Sequence, residues 1–258
     1  MAVTTAHKRG VQARGTQEAP ARLHEAVAWL ERHATARTRA GLARYGVVTA
    51  DRVLGVSVAD IQTLAKRLGR DHALAAALWD TGVFEARMLA AFVDEPDRVT
   101  PAQMDRWCRT FDNWAICDTL CFHLFDRTPH AWAKVTLWNR SRHEYTKRTA
   151  FALLWSLALH DKGTGEKPFL QGLRLIERAA TDERHFVKKA VGMALRAVGR
   201  RSGALHVEAM RVAERLAASD APAARWVSRD ALRTLTRTAP GPAPPRDPQP
   251  RRRQQPRG

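Results

Sequence analysis

The sequence predicts an all-α protein, an α-solenoid of stacked antiparallel helix pairs with a basic concave face. Three observations carry that expectation. Apolar residues recur at three- and four-residue steps through most of residues 21–238, and no segment alternates convincingly at period two. Helical runs of ordinary length are cut by short Gly, Pro or Asp breaks and pair at about forty residues, a self-similarity of pattern and not of sequence. The 43 Lys and Arg against 26 Asp and Glu leave a net charge of +17. Most of that excess sits on the folded span, where it makes a shaped electrostatic surface suited to a polyanion.

Residues 1–20 are polar and without periodicity and read as a disordered leader. Leu23, Val27, Leu30 and Ala34 then predict one long helix from Ala21 to about Ala43, ending around Gly41 to Gly46. Ser57 followed by Asp60 resembles a capping box, and Ile61, Leu64 and Leu68 form the stripe of a second helix stopped by Gly69. Asp71 opens a third, which breaks at Gly82, and a fourth runs from Phe84 to Val93. Thr100-Pro101-Ala102-Gln103 is a start signal, with Thr100 as N-cap, Pro101 at the first helical position and Gln103 reaching back.

The pattern continues through Asn113–Phe125, Trp132–Trp138, Glu144–His160, Pro168–Ala180, Phe186–Val198, Ala204–Ala218 and Ala223–Thr236. Residues 239–258 hold seven of the thirteen prolines and the run Arg251-Arg252-Arg253, a disordered basic tail. That tail accounts for four of the net positive charges and the leader for two, which leaves eleven on residues 21–238, the one folded domain.

Cys108, Cys117 and Cys121 are too few and too clustered for a disulfide framework, and an odd count points to reduced thiols in a cytoplasm. Cys117, Cys121 and His123 lie close together, but a fourth ligand at zinc spacing is missing, so no metal or other cofactor is expected. No apolar run approaches the roughly 18 residues of a membrane span, and Met1 to Gly15 lacks the apolar stretch of a secretory signal.

The chemistry-bearing stretch is Phe111 to Cys121. With Asp112 or Asn113 as N-cap, Trp114 and Asp118 stand one turn apart on the same helix face. Spacing alone also allows a core tryptophan and a helix-end salt bridge. Three further landmarks accompany the pair. Leu42-Ala43-Arg44-Tyr45-Gly46 is followed by Gly55-Val56 and Ser57-Val58-Ala59-Asp60. Glu144-Tyr145-Thr146-Lys147-Arg148-Thr149-Ala150 opens one helix. His185-Phe186-Val187-Lys188-Lys189-Ala190-Val191-Gly192-Met193-Ala194-Leu195-Arg196 opens another.

In this order and combination, from roughly Arg39 to Leu235, the chain resembles the AlkD-type family of DNA alkylation-repair glycosylases, built of HEAT-like repeats. The resemblance implies removal of cationic N3- or N7-alkylated purines from double-stranded DNA by hydrolysis of the N-glycosidic bond. Asp118 matches the catalytic carboxylate, which in its ionised form would stabilise an oxocarbenium-like sugar and orient water. Trp114 matches the aromatic beside the scissile nucleotide. Arg148 matches the arginine near the carboxylate and backbone, expected to clamp a phosphate. Tyr45 matches an aromatic of the same site. Where the catalytic members carry a second tryptophan, this chain has Met193, which offers no π face.

Lys147, Lys188, Lys189, Arg196 and Arg229 are expected to contact the DNA backbone. The resemblance also implies that the damaged nucleotide need not enter a deep pocket, so bulky adducts are tolerated. The expected protein is a cytoplasmic, nucleoid-associated monomer that engages no membrane. Two other classes compete: a HEAT-like protein that binds branched or damaged DNA, or RNA, without cutting, which Met193 favours, and a scaffold for acidic proteins. Trp114 with Asp118 favours the enzyme, because a carboxylate in a groove that only binds polyanions would weaken it.

Overall fold

The computed structural model describes residues 20–237; the leader and tail expectations lie outside them, apart from Pro20. Among the described residues there are no strands, only an isolated parallel bridge between Arg52 and Val83. The helices are α1 (20–32), α2 (Ala36–Arg44), α3 (Val58–Leu68), α4 (His72–Trp79), α5 (Phe84–Val93), α6 (Pro101–Cys108) and α7 (Trp114–His123), then α8 (Ala131–Trp138), α9 (Glu144–His160), α10 (Glu166–Ala179), α11 (His185–Gly199), α12 (Gly203–Ala217) and α13 (Pro222–Leu235). Single 3₁₀ turns occupy Pro96–Arg98 and Phe125–Arg127.

The helices form two layers. In the inner layer α3, α5, α7, α9, α11 and α13 each pack on the next, and α4, α8, α10 and α12 back them from outside. Each inner helix turns small and apolar residues to both neighbours, as in the wholly buried run Phe151, Ala152, Leu153 and Leu154 of α9. That burial is what holds such a stack, because no single hairpin can cover its own apolar stripe.

Predicted starts and stops hold at several ends. Ser57 Oγ accepts from Asp60 N–H at 3.2 Å, Asp71 Oδ1 from Leu74 N–H at 2.9 Å and Thr100 Oγ1 from Gln103 N–H at 3.1 Å. Gly69 closes α3 with φ +72°. Gln103 does not reach back to its helix start: its Nε2 donates to the buried carboxylate of Asp94 at 2.7 Å. That long-range acceptor also takes Glu95 N–H and His72, so the tertiary partner displaces the local one.

The single first helix is also corrected. The chain leaves helical geometry at Thr35 (φ −130°, ψ 140°), whose N–H donates to Gly55 O at 2.9 Å and whose hydroxyl caps α2. Arg39 holds the same loop through two bonds to Leu54 O. Gly55 is required there: φ is +96°, and a Cβ would lie 2.4 Å from Thr35 O. From the other side the fully buried Glu85 carboxylate accepts from Leu54, Gly55 and Val56 N–H at 2.9, 2.6 and 3.3 Å. The stretch that leads into α3 is thus tied to α2 and α5 at once, and this fixes where the preceding loop, 45–50, meets α7.

Candidate active site

Asn113, not Asp112, caps α7: its Oδ1 accepts from Ile116 N–H at 3.0 Å. Asp112 accepts instead from Ala50 N–H at 2.6 Å and from Asn113 Nδ2 at 2.8 Å. The indole N–H of Trp114 donates to Tyr45 O at 3.0 Å. Loop 45–50 is therefore pinned across the entry of α7. Tyr45 joins the site through its carbonyl while its side chain stands 75% exposed.

One turn along α7, Arg148 Nη2 of α9 donates to both oxygens of Asp118, at 2.9 and 2.7 Å. Arg148 Nη1 donates to Phe186 O at the start of α11, at 2.9 Å, and the guanidinium lies 5.9 Å from the Phe186 ring. One side chain so links α7, α9 and α11. It is 3% exposed, which contradicts the expected phosphate clamp: a guanidinium beneath the surface, committed to a carboxylate and a carbonyl, does not reach a DNA backbone. Its Nε is buried with no hydrogen-bond partner, so the arginine is not over-satisfied even there.

The Asp118 side chain keeps 18% of its surface open. Burial raises its carboxyl above the usual aspartate range, and the charge and hydrogen bonds of Arg148 pull it partly back. What results is a carboxylate held in one orientation and partly open to solvent, with Trp114, also half-buried, one turn before it on α7. Such a group can face a developing positive charge without reorganising.

The cysteines are buried. Cys117 Sγ donates to Asn113 O at 3.1 Å and Cys121 Sγ to Thr149 O at 3.6 Å, and burial pushes both thiols well up, and that of Cys108 to about 12. They are packing groups. Among the described residues no cluster of three or more His, Cys, Asp or Glu is placed to hold a metal ion.

The basic residues separate into two sets. Lys147 is ion-paired to Asp182 at 2.8 Å and only 18% exposed, and Arg184 shares that carboxylate, which lies well below the usual range chiefly because of Arg184. Arg196 is ion-paired to Asp230. Lys188 lies 4.0 Å from Glu183 and 5.5 Å from the ring centroid of Trp226. Lys147 and Arg196 do not offer free charge to a duplex as expected, because acids on neighbouring helices or loops take it, and Lys188 is only 19% exposed, at the limit of ion-pair reach of Glu183. Lys189 and Arg229 are exposed and ion-paired to no described residue. Met193 is half-buried and lines a cleft of about 350 Å³ between α11 and α13 with Lys189, Arg229 and Trp226.

Sequence reasoning missed Phe186, whose carbonyl anchors Arg148, and Trp226. Trp226 had a signal: it falls on the Arg225–Arg229 face of its helix, where a large aromatic has no core to enter. The carbonyl of Phe186 had none. A cavity of about 570 Å³ between the outer helices α10 and α12 has Glu166, Glu177, Arg174 and Arg215 in its walls and belongs to the side away from Asp118. No helix among the described residues is long and apolar enough to cross a membrane.

Comparison with known proteins adds the following. The model of a family described as DNA alkylation repair enzyme matches residues 26–235. No curated protein matches the chain. A solved structure described as "a new family of proteins related to the HEAT-like repeat DNA glycosylases with affinity for branched DNA structures" is similar over 83% of this chain and 95% of its own, with 19% identity and a TM-score of 0.68. The structure of smu.31 from Streptococcus mutans UA159 is similar over 67% of this chain and 90% of its own, with 18% identity and a TM-score of 0.51. At these identities the structural likenesses speak to the fold, a HEAT-like helical stack.

Proposed function

The chain belongs to the DNA alkylation repair enzyme family, over most of its length, and from that premise we propose that it is a monofunctional DNA glycosylase for cationic N3- or N7-alkylated purines in duplex DNA. The observation that carries this reading is the Asp118–Arg148 pair: a carboxylate partly open to solvent, gripped at both oxygens by an arginine that is not. A scaffold that only attracts polyanions gains nothing from a negative charge fixed there.

An alkylated purine already bears positive charge. It leaves as a neutral base, taking the electron pair of the C1′–N bond, and needs no general acid. The sugar becomes oxocarbenium-like, and Asp118 stabilises that charge while aligning water for attack at C1′; the water proton passes to the carboxylate and then to solvent. Arg148 keeps Asp118 oriented and favours its ionised form. The Trp114 π face lies a turn away for the cationic nucleotide. The experiment is release of free alkylpurine from methylated duplex by the wild type and by Asp118→Asn; release by the wild type alone supports the reading.

A second reading is a protein that binds damaged or branched DNA without excision. Met193, which gives no π face in the groove, favours it, as does the affinity for branched DNA ascribed to the structural neighbour. Tight binding with no release from either protein would select it.

A further inference from the structure

We propose that the cleft between α11 and α13 is a base-stacking subsite, in which the indole of Trp226 takes an unpaired nucleobase while Lys189 and Arg229 take its flanking phosphates. This rests on the reading of the inner surface as a nucleic-acid groove, but not on excision at Asp118.

Trp226 is 38% exposed on a helix whose other face is wholly packed through Ala224, Val227 and Ala231. A large indole left open to water in a cleft lined mostly by cations is the composition of a platform for bases. The ring is also held. Its Cζ3 lies 3.9 Å from where a Cβ would stand on Gly192, so its edge rests near the α11 backbone with no side chain between. Lys188 Nζ stands 5.5 Å from its centroid. A ring with the α11 backbone at its edge and Lys188 beside it has fewer orientations to lose when a base stacks on it.

The charge around the ring suits a nucleotide. The carboxylate in the cleft, Asp230, is engaged by Arg196 and by Arg233, the latter at 2.7 Å. Its negative charge is thereby compensated. Lys189 and Arg229 remain exposed on either helix, without an ion pair to a described residue. Met193 adds a soft apolar wall. The occupant is an unpaired base because paired bases in a duplex already use both π faces on their neighbours, whereas one displaced at a bulge or junction has a face to give.

The test is the affinity of the full chain, by fluorescence polarisation, for an intact duplex, the same duplex with a one-nucleotide bulge, and a three-way junction. Trp226→Ala should weaken bulge and junction binding about tenfold, the order of one base–aromatic stack, and change the intact duplex less than twofold. Trp226→Phe, which keeps a ring, should recover most of the loss. An exposed side chain leaves the melting temperature of both variants near the wild type, which excludes misfolding as the cause. Equal weakening on all three probes, or none, overturns the subsite while leaving the groove reading intact. Failure of the wild type to bind any probe sinks both.

Discussion

Replacing Asp118 by Asn removes one negative charge and little else, so its consequence can be worked from the geometry. A full positive charge on the sugar about 4 Å from the carboxylate is stabilised by roughly 4 kcal/mol at an effective dielectric near 20. At about 1.4 kcal/mol per factor of ten, that is about a thousandfold in rate. Arg148 shares the carboxylate and offsets part of it, so the expected loss is roughly 100- to 1000-fold in single-turnover release of alkylpurine. Stability should move little, because two effects oppose. Asn is spared the burial penalty that raises the Asp118 carboxyl, yet it gives Arg148 one acceptor oxygen in place of two. Duplex affinity should stay equal or rise slightly as a negative charge leaves the groove. Release within tenfold of the wild type would refute the reasoning, and joint loss of folding and binding would make Asp118 a structural residue.

Other outcomes follow from the same contacts. The active form of Asp118 is ionised and its carboxyl lies above the ordinary range, so excision should fall off with acid at a pH above that of an unperturbed aspartate, roughly 3.9. Arg148→Met should move this acid limb higher still, and Arg148→Lys should move it less, both read from pH profiles of single-turnover rates. For stability the sign is opposite: a carboxyl raised in the folded state binds its proton more readily than in the unfolded chain, so the Asp118 contribution diminishes as pH rises through that interval. Lys189→Ala and Arg229→Ala should each lower the salt slope of DNA binding by about 0.9. Lys147→Ala should lower thermal stability and leave the slope unchanged, because its charge is spent on Asp182. Glu85→Ala leaves three buried N–H groups without an acceptor and should cost about 3 kcal/mol or more in denaturant unfolding.

Much of the fold was legible because it is local. Apolar spacing and the side chains of Ser57, Asp71 and Thr100 placed helix starts to within a residue or two, since a cap bonds within its own first turn. The break at Thr35 was not legible, because the loop that causes it arrives from Leu54 and Gly55, and Gln103 turned from its own helix start to Asp94.

The candidate site divides the same way. By itself the sequence determined that Trp114 and Asp118 share a helix face, that small and apolar positions recur at helical period, and that the folded span is strongly basic; these are properties of residue type and spacing. Only the tertiary structure decided which cations remain available. Lys147, Arg196 and Lys188 look alike in the chain to Lys189 and Arg229, but the first two meet carboxylates supplied by other helices and loops, and Lys188 is mostly covered. It likewise sank Arg148 beneath the surface and set it against Asp118, thirty positions away in the chain. Charge and periodicity belong to each residue, whereas burial and pairing depend on how helices distant in sequence come to lie against one another.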